Sequence, residues 1–127
     1  MKRTYFLAAF AAVVGLTASL SAVAASSATM RVIVVQTADV PAYVHEVHTL
    51  QAIFKKLGQP VTLRVWQATY AGSDTNSIIV SVEYPNFMTL AKVNDMFATN
   101  QEVVAEMNKI GAMRKILSDS LYQEQSE

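Results

Sequence analysis

Four side chains near the middle of the chain have the types and spacing to do chemistry together: Arg64, Trp66, Tyr70 and Glu83. On an extended strand, Arg64, Trp66 and Tyr70 point to one face. A following strand brings Glu83 to the same face if the turn between them is centred on Ser73 and Asp74. Arg64 then lies opposite Glu83, and Trp66 opposite Ser81. Such a cluster can line a pocket in which Trp66 stacks a planar molecule and Arg64 holds a carboxylate or phenolate oxygen. It can equally be an interface, with Trp66 as the anchor and Arg64–Glu83 as a cross-strand ion pair. The residues leave both readings open.

The other polar candidates carry less. His45 and His48 are the only histidines. At i, i+3 on a helix they could supply part of a metal site with Glu46 or Asp39, or simply face water. Asn86, Asn94, Asn100 and Asn108 suit caps and surface positions. Asp119 with Lys115 reads as an edge-strand charge pattern. No Gly-rich phosphate loop, no Ser-His-Asp set and no paired-carboxylate site is visible, and no cofactor is expected. Cysteine is absent, which excludes disulfides, thiol catalysis and thiolate metal sites.

The elements that must position these residues follow from patterning. Met30 to Gln36 is a β-branched run, apolar on both sides, and reads as a strand. Asp39 and Pro41 open a helix whose stripe is Tyr43, Val47, Leu50, Ile53, Phe54 and Leu57, closed by Gly58 and Pro60. Thr62 to Ala71 and Ser77 to Tyr84 read as two strands of an antiparallel hairpin across the turn cluster Gly72 to Asn76. On these, Leu63, Val65, Ile78, Val80, Val82 and Tyr84 form the core face. Arg64, Trp66, Ala68, Tyr70, Ile79, Ser81 and Glu83 form the other. Asn86 caps a helix carrying Phe87, Leu90, Val93 and Phe97. Thr99-Asn100 interrupts it, and a second helix runs through Val103, Val104, Met107 and Ile110. Ala112 to Gln123 reads as the last strand.

The chain begins with a different kind of segment. Lys2 and Arg3 precede an uncharged run from Thr4 to Met30, and small residues close it around Ala22 and Ala24. This is the pattern of a secretory signal peptide over residues 1–24, cleaved after Ala24. A retained leader acting as a membrane tether is the competing reading. Cleavage leaves a mature chain of about 103 residues, one domain, with a short lead-in at 25–29, a folded body at 30–124 and a polar tail at 125–127. The protein is then exported, periplasmic or secreted, with no membrane contact after cleavage. Loss of Lys2 and Arg3 leaves a net charge of about −2, so nucleic acid is not an expected partner.

The order β-α-β-β-α-β is the split βαβ, or ferredoxin-like, α+β pattern: a four-stranded antiparallel sheet with helices on one face. The opposite face carries Trp66, Tyr70 and one side of the first strand. Left in water it would be a large apolar patch, and a second copy is the simplest cover, giving a sheet-to-sheet homodimer.

Several segments resemble the dimeric α/β-barrel superfamily: Arg64-Val65-Trp66-Gln67-Ala68-Thr69-Tyr70-Ala71-Gly72, Val82-Glu83-Tyr84-Pro85-Asn86, Leu90 to Met107, and Ser118-Asp119-Ser120-Leu121-Tyr122. They are similar to its small NIPSNAP-like and antibiotic-biosynthesis-monooxygenase-like branches. The resemblance implies a barrel formed by two sheets, and a small apolar or aromatic ligand or a purely structural role. It also admits cofactor-independent monooxygenase or isomerase activity in the barrel. The haem-degrading branch uses a His late on its second helix. Here Val93-Asn94-Asp95-Met96-Phe97 holds none, so that ligand does not carry over. The surroundings of His45 and His48 do not match the metal-binding motif of the stress-responsive branch either.

Overall fold

A computed structural model describes residues 27–125. The expected leader and its cleavage point after Ala24 lie outside the described residues. Strand β1 (Thr29–Gln36) is followed by helix α1 (Val40–Lys56), strands β2 (Thr62–Gln67) and β3 (Ile78–Tyr84), helices α2 (Phe87–Thr99) and α3 (Gln101–Ala112), and strand β4 (Lys115–Gln123). The four strands form one antiparallel sheet in the order β2-β3-β1-β4. This is the ferredoxin-like α+β fold that the element order predicts.

Local chemistry sets the helix ends. Asp39 Oδ1 accepts from the Ala42 N–H at 3.0 Å, and Pro41 occupies the first turn, where no donor is needed. At the other end Gly58 has φ +70°. Its N–H donates to the Lys55 carbonyl, while that of Gln59 reaches the Phe54 carbonyl. These are the two bonds of a Schellman stop, which needs a left-handed residue at Gly58. Asn100 both ends α2 and starts α3: its side chain accepts from the N–H groups of Glu102 and Val103, both at 3.1 Å.

The helices cover the face bearing Leu63, Ile78, Val80, Val82 and Tyr84 on the hairpin and Ile33 and Val35 on β1. These pack with Tyr43, Val47, Leu50, Phe54, Val93, Val103 and Ile110 into one core. Phe54 and Phe97 meet edge to face with ring centres 5.9 Å apart. Gln51 ties α1 to the edge strand, its amide donating to the Val61 carbonyl at 3.0 Å and accepting from the Leu63 N–H at 2.6 Å.

Three expectations are corrected. The hairpin pairs Arg64 with Ser81 and Trp66 with Ile79, two residues away from the expected register. A two-residue slip keeps every side chain on its expected face. It arises because the ladder runs one pair past β2, through Ala68 and Ser77, before a longer connection with a 3-10 turn at Gly72–Asp74. Second, β2 ends at Gln67, so Tyr70 lies in that connection, fully exposed, while Ala68, paired with Ser77, is buried. Third, β4 begins at Lys115, because α3 keeps its helical bonds to Ala112 and Met113 closes it.

β4 itself is covered on neither side. Leu121 on the helix side and Tyr122 on the other are each about half exposed, as is Ile116. A bulge at Leu117 shifts its pairing with β1 between Val34 and Val35.

Candidate functional site

The open face of the sheet carries Arg64, Trp66 and Glu83. Arg64 Nε sits 3.2 Å from Glu83 Oε1, one diagonal step along β3, and Trp66 Nε1 donates to Ser81 Oγ at 3.0 Å. So the two expected partnerships exist, but as diagonal rather than facing contacts. Trp66 is 51 % exposed and Tyr70 wholly so, and Tyr70 stands apart from the cluster in the β2–β3 connection. At the adjacent end of this face a shallow groove of about 600 Å³ runs along the cross-strand row Thr62, Glu83, Met30 and Tyr122.

His45 and His48 are exposed on α1. Among the described residues no group of three or more His, Cys, Asp or Glu side chains comes together to hold a metal ion. Among the described residues, likewise, no helix is long and apolar enough to cross a membrane.

A second location emerges between the sheet and the helices. Val47, Leu50 and Phe54 of α1, Phe97 of α2 and Met107 of α3 wall a cleft over Leu63 and Val80. Its polar end is built by Arg31, Tyr43, Tyr84 and Arg114. Arg31 is charged, yet its position in β1 has the parity of Ile33 and Val35, so it points to the helix side. It forms a two-pronged ion pair with Asp119, which has core-face parity on β4: Nε donates to Oδ1 at 2.8 Å and a terminal nitrogen donates to Oδ2. Asp119 therefore pairs across strands with Arg31 rather than along the edge with Lys115. The two side chains are each about one-third exposed, so this end of the cleft meets solvent.

Deeper in, Arg114 Nη1 donates to the Tyr43 hydroxyl at 3.1 Å. Two buried polar atoms here find no hydrogen-bond partner among the described residues: the Tyr84 hydroxyl and Arg114 Nε. Unpaired buried donors are costly and uncommon, and such groups are often answered by a water or ligand. Burial pushes the Tyr84 phenol up to about 12, against the opposing pull of Arg31, so it is a neutral donor at all ordinary pH. The Asp119 carboxyl is held below the usual range, chiefly by its hydrogen bonds from Arg31. The enclosed volume is about 40 Å³, little more than one water's share of the liquid, ~30 Å³. A larger guest must displace side chains, and Met107 and Phe97, both only partly buried, are the mobile candidates in the wall.

A further charged feature lies between α1 and α3. Glu106 is 4 % exposed, with Lys109 Nζ at 3.5 Å from one oxygen and, among the described residues, no donor at the other. Burial raises its pKa first, and the neighbouring Glu46 carboxyl adds to this. Sequence spacing alone gave no sign of the pair, because sixty residues separate its members.

No protein-family model matches the chain, and no curated protein matches it by sequence. Solved structures do resemble it. One is a conserved protein of unknown function from Bacteroides thetaiotaomicron, described as a possible oxidoreductase. It is 10 % identical, with a TM-score of 0.59, and the match covers 79 % of this chain and 100 % of that one. Another is SnoaB, a cofactor-independent oxygenase from Streptomyces nogalater, crystallised as a variant. It is 13 % identical, with a TM-score of 0.58 over 81 % of this chain and 97 % of that one. At these identities the likeness is one of fold. The chain shares with these structures the ferredoxin-like α+β fold that its element order predicts.

Proposed function

We propose that this protein is an exported, homodimeric binding module that takes a small, mostly apolar molecule into the cleft between its helices and its sheet. The observation that carries the ligand assignment is the pair of unpartnered buried groups, the Tyr84 hydroxyl and Arg114 Nε, at the end of an apolar cleft. The cluster at Arg64, Trp66 and Glu83 argues less for a ligand, because Arg64 pairs with Glu83, the Trp66 indole N–H is taken by Ser81, and no buried polar atom there lacks a partner among the described residues. That face suits a second copy: Trp66, Met30 and Tyr122 are exposed on it, and β4 adds an uncovered edge. Export rests on Lys2, Arg3, the uncharged run after them and the small residues Ala22 and Ala24.

A thermal-shift titration with naphthol tests the cleft. Saturating ligand raises the melting temperature of the parent protein and of Trp66→Ala, and filling the cleft with Met107→Trp removes the effect. No shift in the parent, or a shift lost in Trp66→Ala and kept in Met107→Trp, overturns the assignment. N-terminal sequencing of exported material tests export: a start at Ala25 supports it, and a start at Met1 contradicts it.

A second reading places cofactor-independent oxygen chemistry in the same cleft. The fold shared with SnoaB supports it, as does an aromatic-lined space with a neutral phenol donor at Tyr84. Oxygen uptake with a quinol or anthrone substrate, lost in Tyr84→Phe, is the expected result. No uptake above the uncatalysed rate removes this reading.

A further inference from the structure

We propose that the guest of the cleft is an organic acid, and that Asp119 is an internal stand-in whose carboxylate the guest's own displaces. This rests on the cleft being the ligand site. Arg31 and Asp119 sit one diagonal step apart on the helix side of the sheet, since Arg31 pairs with Leu121 and Asp119 with Ile33. Their two-pronged contact is the geometry in which a guanidinium grips any carboxylate. Asp119 is on an edge strand two residues from the bulge at Leu117, and its side chain is about one-third exposed. It can therefore turn to water without leaving the sheet.

The charge count favours an anion. Arg31 and Arg114 both lie on the cleft, and both act electrostatically on the single carboxylate of Asp119. The guest's carboxylate, on taking Asp119's place at Arg31, also faces Arg114 and meets its unpaired Nε and the Tyr84 hydroxyl. A neutral guest satisfies the hydroxyl but gives Arg114 no counter-charge. A small hydrated anion such as phosphate gains nothing from walls made of Val47, Phe54 and Met107. The fitting class is a monocarboxylic acid with an apolar body.

Titration of the mature protein with naphthoate and naphthol, two compounds of similar shape, separates the possibilities. Naphthoate binds roughly tenfold more tightly, the weight of one hydrogen bond to a charged group. Asp119→Asn tightens naphthoate several-fold and leaves naphthol unchanged, because the competing carboxylate is gone. Arg114→Gln weakens naphthoate alone. If naphthol binds as well as naphthoate and Asp119→Asn alters neither, the guest is neutral and the acid inference fails while the cleft assignment stands. If Asp119→Asn weakens naphthoate in a protein that melts like the parent, Asp119 supports Arg31 and is not displaced. If neither compound binds the parent, the cleft assignment falls as well.

Discussion

Trp66 lies directly across the hairpin from Ile79, yet its indole N–H donates to Ser81, one diagonal step away on the same face. The ring is thereby tied to β3 at the buried Ser81 and leaves half of its own surface in water. A fixed, half-exposed Trp on an otherwise uncovered sheet is an anchor awaiting a flat apolar partner. The parent protein is expected to sediment as a dimer at micromolar concentration, and Trp66→Glu as a folded monomer. A parent that stays monomeric contradicts the sheet-to-sheet assembly.

Tyr84→Phe removes a buried hydroxyl that has no partner among the described residues. The variant should be more stable than the parent by about 1 kcal/mol without ligand, which is roughly 4–8 °C in melting temperature for a domain of this size. Its ligand affinity should fall. Calorimetric melting with and without naphthoate reads both effects, and a destabilised Tyr84→Phe would mean that the hydroxyl is already bonded.

Two carboxyl groups give opposite pH dependences. Asp119 has a folded pKa below its unfolded value, so its contribution is present above the unfolded carboxylate range and is lost as pH falls through the folded value. Glu106 has a raised folded pKa, so its contribution is present below the unfolded value and is lost as pH rises through the folded value. Glu106→Gln should therefore raise the melting temperature near pH 7 and change it little near pH 4. Equal effects at both would show that Glu106 does not titrate between them.

Gln51→Ala breaks both bonds from α1 to the β2 edge and leaves the Leu63 N–H and Val61 carbonyl to find water. A loss of about 1–2 kcal/mol is expected in denaturant unfolding. Gln51→Glu can still accept from Leu63 but cannot donate to Val61, so it should fall between Ala and the parent.

Much of this architecture was legible in residue types. Asp39, Pro41, Gly58, Asn86 and Asn100 each mark a helix end that the structure places within a residue or two, because each supplies a specific missing bond or backbone shape. Face assignment along the hairpin also survived, since parity depends only on alternation. Register did not: the length of the connection between Gln67 and Ile78 is set by turn closure at Ala68 and Ser77, which composition does not reveal. The cleft was hidden for a related reason. Arg31 lies in an apolar run on the side of Ile33 and Val35, and a charge at a core-facing position was the available signal. Its partner Asp119 and neighbour Arg114 come from the far end of the chain, brought there by the pairing of β1 with β4.

The sole tryptophan and the two cleft arginines allow one decisive reading of where a ligand goes. In a nitrogen-15 spectrum of the labelled protein, titrated with naphthoate, the side-chain N–H signals of Arg31 and Arg114 should move in proportion to occupancy while the Trp66 indole stays fixed. Movement of the indole with unchanged arginine signals would place the ligand on the open sheet face and contradict the account.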